Sequence, residues 1–211
     1  MIIYMYPLGL VQTNTYLICN EETEEAIVID ASSEPHELLE VAEKYKVKAI
    51  LLTHAHFDHI SGLNEIRKAT GAPVYIHPSE QSWLSDPTLN GSTRWPNVGQ
   101  VVCEKAEFEL QDQQELTLAG FKIQVLHTPG HSPGGVSFKF ENGILFCGDA
   151  LFAGSIGRTD LPGGNYEQLI ESIQDQLMDL PDETICYPGH GPKTTIGREK
   201  VVNPYITGIL R

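Results

Sequence analysis

Apolar positions along this chain alternate between short continuous runs and helical spacing. Near the amino terminus they fall in runs: Met1 to Gly9, Tyr16 to Cys19 and Ala26 to Ile29. Runs of this length, rich in β-branched and aromatic residues, predict strands. The acidic stretch Glu21-Glu22-Thr23-Glu24-Glu25 marks a hairpin turn between the second and third, and Asp30 ends the third. Pro35 then fits a first helical turn, with Leu38, Leu39, Ala42 and Tyr45 recurring at helical spacing. Lys48 to Thr53 is a continuous apolar run, the pattern of a strand buried in a layered α/β fold. Asp58 and His59 open a predicted helix carrying Ile60, Leu63, Ile66 and Ala69, and Gly71 to His77 gives the next strand.

The second half repeats the pattern. Strands are predicted around 115–118, 121–126, 136–140 and 144–147, with a Glu141-Asn142-Gly143 turn, and these would form a second sheet. A helix follows from Tyr166 to about Leu180, closed by Pro181; Thr184 to Tyr187 is a strand, and a last helix begins near Gly197. Ser85 to Gln100, with Asp86-Pro87, Asn90-Gly91 and Trp95-Pro96-Asn97, is a loop by composition. Trp83 and Trp95 are expected to cover the core, with the lining of a substrate groove as the alternative, His77 to be structural, and His36 to be solvated.

Composition narrows the class. With 211 residues, 41% hydrophobic and 20% charged, the chain fits one globular domain spanning residues 1–211. A net charge of −14 repels nucleic acid and anionic membranes, so the expected partner is a small-molecule substrate, with the oligomeric state left open. Four cysteines without a Cys-x-x-Cys pair predict free thiols. The start lacks a basic leader with a cleavage site, and no run approaches the ~20 apolar residues of a membrane span. A cytoplasmic location is the expectation.

Chemistry concentrates in four stretches: Thr53-His54-Ala55-His56-Phe57-Asp58-His59, Thr128-Pro129-Gly130-His131, Cys147-Gly148-Asp149 and Pro188-Gly189-His190-Gly191. Imidazole and carboxylate donors suit zinc, iron or manganese. Packed without a metal, such histidines would repel on protonation, and each unsatisfied buried group would cost roughly 1–3 kcal/mol. Cys147 shares a strand with Asp149 and is read as a core residue.

In order and context, the four stretches resemble the metallo-β-lactamase superfamily. The separations agree: 75 residues from His56 to His131, 18 more to Asp149 and 41 more to His190. The resemblance extends from Thr13-Asn14-Thr15-Tyr16-Leu17 to His190 and implies a four-layer αββα sandwich. It implies that His54, His56 and His131 hold one divalent metal ion, that Asp58, His59 and His190 hold a second, and that Asp149 bridges them. Zinc is the expected metal, with iron or manganese as alternatives. The flavodiiron branch carries Glu where His56 stands, and zinc β-lactamases carry Cys where Asp149 stands; here the set is of the thioesterase type.

Leu151 to Gly164 resembles the short bacterial glyoxalase-II-like subfamily and, through Gly157-Arg158-Thr159-Asp160, the persulfide dioxygenases. Glyoxalase II proper has a carboxy-terminal helical domain that grips glutathione, whereas only 21 residues follow His190 here. The expected activity is hydrolysis of a small thioester such as S-lactoylglutathione by a metal-bridging hydroxide, with Asp58 orienting the nucleophile. The alternatives are a mononuclear-iron persulfide dioxygenase and a lactonase or other ester hydrolase. Arg158 is the candidate for gripping a substrate carboxylate, against a structural ion pair with Asp160. His127 is expected to support the site or the packing.

Overall fold

Successive side chains of a strand point to opposite faces, so a run apolar on every position must be covered on both sides. The computed structural model, which describes residues 1–210, satisfies this demand with two stacked sheets. The first contains β1 (Ile2–Leu8), β2 (Thr13–Asn20), β3 (Glu25–Ile29), β4 (Lys46–Leu51), β5 (Val74–Ile76) and β6 (Phe108–Glu109), in that order. Its first two pairings are antiparallel and the next three parallel.

The second sheet is built from β7 (Glu115–Leu118), β8 (Phe121–His127), β9 (Val136–Phe140), β10 (Ile144–Gly148), β13 (Ile185–Pro188) and β14 (Thr194–Thr195). Its order runs β14-β13-β10-β9-β8-β7, with β10 and β13 parallel. A small hairpin of β11 (Leu151–Phe152) and β12 (Ser155–Ile156) stands apart from both.

Alternation in β2 and β3 sets the layers. Tyr16, Ile18, Ile27 and Ile29 meet Val125, Phe138, Phe140 and Phe146 in the core between the sheets. Their neighbours Leu17, Cys19, Ala26 and Val28 face the other way, onto α1 (His36–Ala42), α2 (Phe57–Ile60) and α3 (Leu63–Thr70). On the far side of the second sheet, Leu145, Cys147 and Cys186 pack against α4 (Tyr166–Ser172) and α5 (Ile196–Val202) through Leu169 and Ile196. Three cores between four layers make the α/β sandwich of the metallo-β-lactamase fold.

Two helices depart from their sequence patterns. The expected continuous helix through Ala69 breaks after Ile60 and restarts at Leu63. Gly62 lies against the turn after β3: its N–H donates to the Ala31 carbonyl at 2.8 Å, and a Cβ there would sit 2.0 Å from the Ser32 carbonyl oxygen. Tertiary contact overrides the 3.6-residue periodicity. The helix from Tyr166 changes to a π-helical turn over Ile173–Leu177 before it ends. Among the described residues no helix is long and apolar enough to cross a membrane.

Candidate metal centre and its pocket

Loops at the carboxyl ends of β4, β8, β10 and β13 converge at one end of the sandwich, and each delivers residues to the same space. From β4, the chain passes through His54 and His56 into α2, whose first turns carry Asp58 and His59. His131 follows β8, Asp149 follows β10 directly, and His190 follows β13. Ligand atoms of His54, His56 and His131 lie within 4.8 Å of one another, as do those of Asp58, His59 and His190, and those of His54, His59 and Asp149. All seven residues singled out as ligands in the sequence therefore meet. Asp149 lies between the groups: Oδ1 is 3.4 Å from His59 Nε2, and Oδ2 is 3.5 Å from both His131 Nε2 and His190 Nε2.

Two glycines permit this approach. Gly148 has φ 48°, and a Cβ there would meet the Thr53 side chain at 2.6 Å. At Gly189 a Cβ would fall 2.1 Å from Asp149 Oδ1 and 2.7 Å from His59 Cε1. A side chain at Gly189 would push the carboxylate or the imidazole out of the centre, and one at Gly148 would press on Thr53 from a backbone conformation that favours glycine.

Most of the rings are oriented from behind. Asp30, at the end of β3 with φ 58°, accepts bonds from Thr53 N (2.8 Å), Thr53 Oγ1 (2.9 Å) and His59 Nδ1 (2.8 Å). The Thr53 hydroxyl donates to Asp30, so it receives the His54 Nδ1 proton at 3.0 Å, which leaves His54 Nε2 bare toward the centre. His131 Nδ1 donates to the Arg158 carbonyl at 2.7 Å, and Thr13 Oγ1 donates to Asp58 Oδ2 at 2.7 Å. Imidazoles held by an outer acceptor present one defined nitrogen inward, the arrangement that metal ligands require.

Two further contacts lock the loops together. Glu80 is fully buried, and its carboxylate accepts bonds from Ala55 N in one ligand loop and from Gly134 N (2.7 Å) in another. Asn14 joins β2 to the His190 loop: its N–H donates to the Gly189 carbonyl, and its side chain donates to the carbonyls of Pro188 and Gly191. Thr13, Asn14, Asp30 and Glu80 carry no sign of these roles in their local sequence. A signal exists only in the resemblance of Thr13 to Leu17, and for Asp30 in its place at a strand end.

The polar balance of the centre fits a cation. His54 Nε2, His59 Nε2 and Asp149 Oδ1 are buried with no hydrogen-bond partner, a costly state for groups that water cannot reach. Burial holds His54 well below the usual histidine range and lowers His56 to about 3, with neighbouring imidazoles adding to both. These rings stay neutral and keep their lone pairs. Burial alone would raise the carboxyls of Asp58 and Asp149, yet the imidazoles around them outweigh it and hold both below the ordinary range, Asp149 at about 2. His59 is desolvated but pushed upward by Asp58, Asp149 and Asp30, a direct sign that this space demands positive charge.

A cavity of about 270 Å³ opens onto His56, Asp58, His131, Asp149 and His190. Phe57, Leu89, Trp95 and Leu161 supply its apolar walls, and Arg94 and Arg158 also line it. Arg158 reaches this cavity as the sequence suggested, but its guanidinium is closed on Asp160 through Nε (2.7 Å) and Nη2 (2.8 Å). Trp83 covers the core and touches His56, whereas Trp95 follows the alternative reading: 39% exposed, it forms a wall of the cavity. His77 stacks on His127 with ring centroids 4.2 Å apart.

Residues 8–190 match the model of the family described as the metallo-beta-lactamase superfamily. The chain belongs to the metallo-β-lactamase superfamily. Among its relatives in that superfamily is the probable metallo-hydrolase YqgX of Bacillus subtilis, 40% identical over 205 residues, with 96% of each chain covered. Another is the hydroxyacylglutathione hydrolase GloC of Haemophilus influenzae, 36% identical over 209 residues, with 97% of each covered. The BLEG-1 B3 metallo-beta-lactamase structure superposes with a TM-score of 0.93 at 43% identity, covering 98% of this chain and 100% of that one. ETHE1 from Myxococcus xanthus gives 0.81 at 32% identity, covering 99% and 85%. TTHA1623 in a di-iron-bound form gives 0.80 at 38%, covering 96% and 99%. Within this superfamily, the chain's His and Asp cluster implies divalent metal ions.

Proposed function

We propose that the protein hydrolyses a small thioester of the S-lactoylglutathione type, using two divalent ions. His54, His56 and His131 would hold one ion, Asp58, His59 and His190 the other, with Asp149 shared. The observation that carries this reading is the convergence of two complete His/Asp donor groups on one carboxylate, with three buried donor atoms left unpartnered. Divalent ions bound there would lower the pKa of coordinated water toward neutrality and polarise an acyl carbonyl. Zinc suits the all-nitrogen and oxygen donor set, and the likeness to a di-iron-bound structure makes iron the metal to test beside it.

The chain's own residues have defined tasks. Asp58, kept ionised and anchored by Thr13, orients the attacking water. Water adds its oxygen to the acyl carbon, the C–S bond breaks, and the sulfur leaves as a thiolate that needs little proton donation. Phe57, Leu89 and Leu161 exclude bulk water from the acyl group. Arg158 is a substrate-facing candidate whose charge becomes available when Asp160 is displaced. A relative of matching length named hydroxyacylglutathione hydrolase supports glutathione thioesters as substrates of a chain of this size. All four cysteines are buried free thiols, which supports a reducing cytoplasm as the working compartment.

A second reading, iron-dependent oxidation of a persulfide, draws on Gly157-Arg158-Thr159-Asp160. It requires one ion, whereas the Asp58, His59 and His190 group is as tightly gathered as the first. S-lactoylglutathione turnover by zinc-loaded protein, lost in His54→Ala, is the expected result. Absent turnover with persulfide-dependent oxygen uptake by iron-loaded protein would replace the hydrolase reading with the oxidative one. Turnover of β-lactams or lactones alone would keep hydrolysis and reject thioesters.

A further inference from the structure

Among the described residues two arginines, Arg94 and Arg158, line the cavity above the candidate metal centre, and their circumstances differ. Arg158 is matched by Asp160 in a two-bond pair. Arg94 is exposed and, among the described residues, its guanidinium has neither an ion pair nor a hydrogen bond, although it lies near enough to Asp160 to help hold that carboxyl down. In a chain with net charge −14, Arg94 is a guanidinium on the wall of the reaction cavity that, among the described residues, no carboxylate pairs directly.

The segment carrying Arg94 is anchored to the metal-binding end. Asn90 is fully buried, and its side chain donates to the carbonyls of Trp83 (3.1 Å) and Val101 (2.9 Å), closing the base of the loop. The Asn90 carbonyl accepts the N–H of Phe57 at 2.9 Å, between the donors His56 and Asp58. Trp95 then packs on Phe57 with ring centroids 5.6 Å apart. Arg94, on the short 3₁₀ turn Ser92–Arg94, is thus held at a fixed place relative to the centre by a backbone bond and an aromatic contact.

We infer that Arg94 is the residue that binds an anionic group of the substrate, while Phe57 and Trp95 seat an adjoining apolar part. The substrate class is a small acyl thioester with an apolar body and a carboxylate end, one that fits about 270 Å³, near the lower end of small-molecule sites at roughly 300 Å³. A guanidinium grips a carboxylate through two parallel bonds, and Arg94 has its whole fork free to do so. This inference deepens the proposed thioester hydrolase and rests on it for the reacting end of the substrate.

Binding separates the two claims. Calorimetry on zinc-loaded protein would compare phenylacetate with phenylacetamide in wild type, Arg94→Gln, Arg94→Lys and Arg158→Gln, with metal content and melting temperature checked for each. Wild type is expected to prefer the anion, Arg94→Gln to lose that preference roughly tenfold or more, the scale of a hydrogen bond to a charged group, and Arg94→Lys to keep part of it. Equal anion binding by wild type and Arg94→Gln would overturn the assignment, as would an equal loss of both probes, or a loss in Arg158→Gln alone. A matched pair of phenylacetyl thioesters, of thioglycolate and of 2-mercaptoethanol, adds kinetics: Arg94→Gln should raise KM for the anionic one more than it lowers kcat. Arg94-dependent anion binding without any thioester turnover would reject the thioesterase reading and leave the Arg94 assignment standing.

Discussion

The floor of the cavity and its mouth are built on different principles. On the floor most polar atoms are buried, and three of the rings have a partner behind them: Asp30 behind His59, Thr53 behind His54, the Arg158 carbonyl behind His131. At the mouth, Arg94, Trp95 and Arg158 are exposed, water satisfies what the protein does not, and their identities are free to follow the substrate. The floor is therefore where the reaction chemistry is held, and the mouth is where a substrate would be selected. A buried network constrains residue type; an exposed rim constrains little beyond charge and shape.

Breaking the floor should have the largest effects. Glu80→Ala strands two buried amides, Ala55 N and Gly134 N, each at about 1–3 kcal/mol, and frees two ligand loops from each other. Thermal or urea unfolding should show that loss, with Glu80→Gln retaining part of the stability; a wild-type midpoint in Glu80→Ala would show that the loops are held by other means. Asp30→Asn is next. It keeps the shape but alters the charge and proton acceptance behind His59, and metal affinity should fall about 10–100-fold, measured by competition with a chelator. Unchanged affinity would mean that Asp30 only packs.

The stacked pair His77 and His127 lies between the two regimes, half-buried beside the ligand loops, and its effect should be smaller. Burial and the neighbouring His127 lower His77 to about 4, below the ~6.5 of an unfolded histidine. The unfolded chain then takes up the proton first, so this site favours folding fully above about pH 6.5 and progressively less as pH falls toward 4. His77→Gln should flatten the acid-side slope of stability in that window. An identical slope in wild type and variant would show that other groups set it.

Legibility in the sequence follows the same division. His54, His56, Asp58 and His59 are visible because one strand-to-helix junction supplies them within six residues, and the strand before it ends in the apolar run Ala49-Ile50-Leu51. Hairpin turns and apolar runs predict most strands of both sheets, since the side-chain pattern of a strand is local information, whereas the two-residue edge strands β6 and β14 are too short to carry one. Asp30 reads only as the end of a strand, because its role depends on β3 lying beside β4, a pairing between segments that no local pattern encodes. Glu80 sits in a polar 3₁₀ stretch and looks like any surface carboxylate until the chain folds over it. The helix break at Gly62 was missed for a related reason: the Ile60, Leu63, Ile66 spacing is helical, and the carbonyls of Ala31 and Ser32 that interrupt it come from another part of the chain. Sequence alone leaves Trp95 between the core and the groove; the loop that carries it is anchored by Asn90, and the ring lines the cavity.

The central claim is that two ions share one carboxylate. Metal content per chain, measured by elemental analysis after loading with excess zinc and desalting, tests it in wild type, His190→Ala and Asp149→Ala. The account predicts two ions in wild type, one in His190→Ala with the His54, His56 and His131 group still filled, and weakened retention of both in Asp149→Ala. A single ion in wild type that persists unchanged in His190→Ala would contradict it.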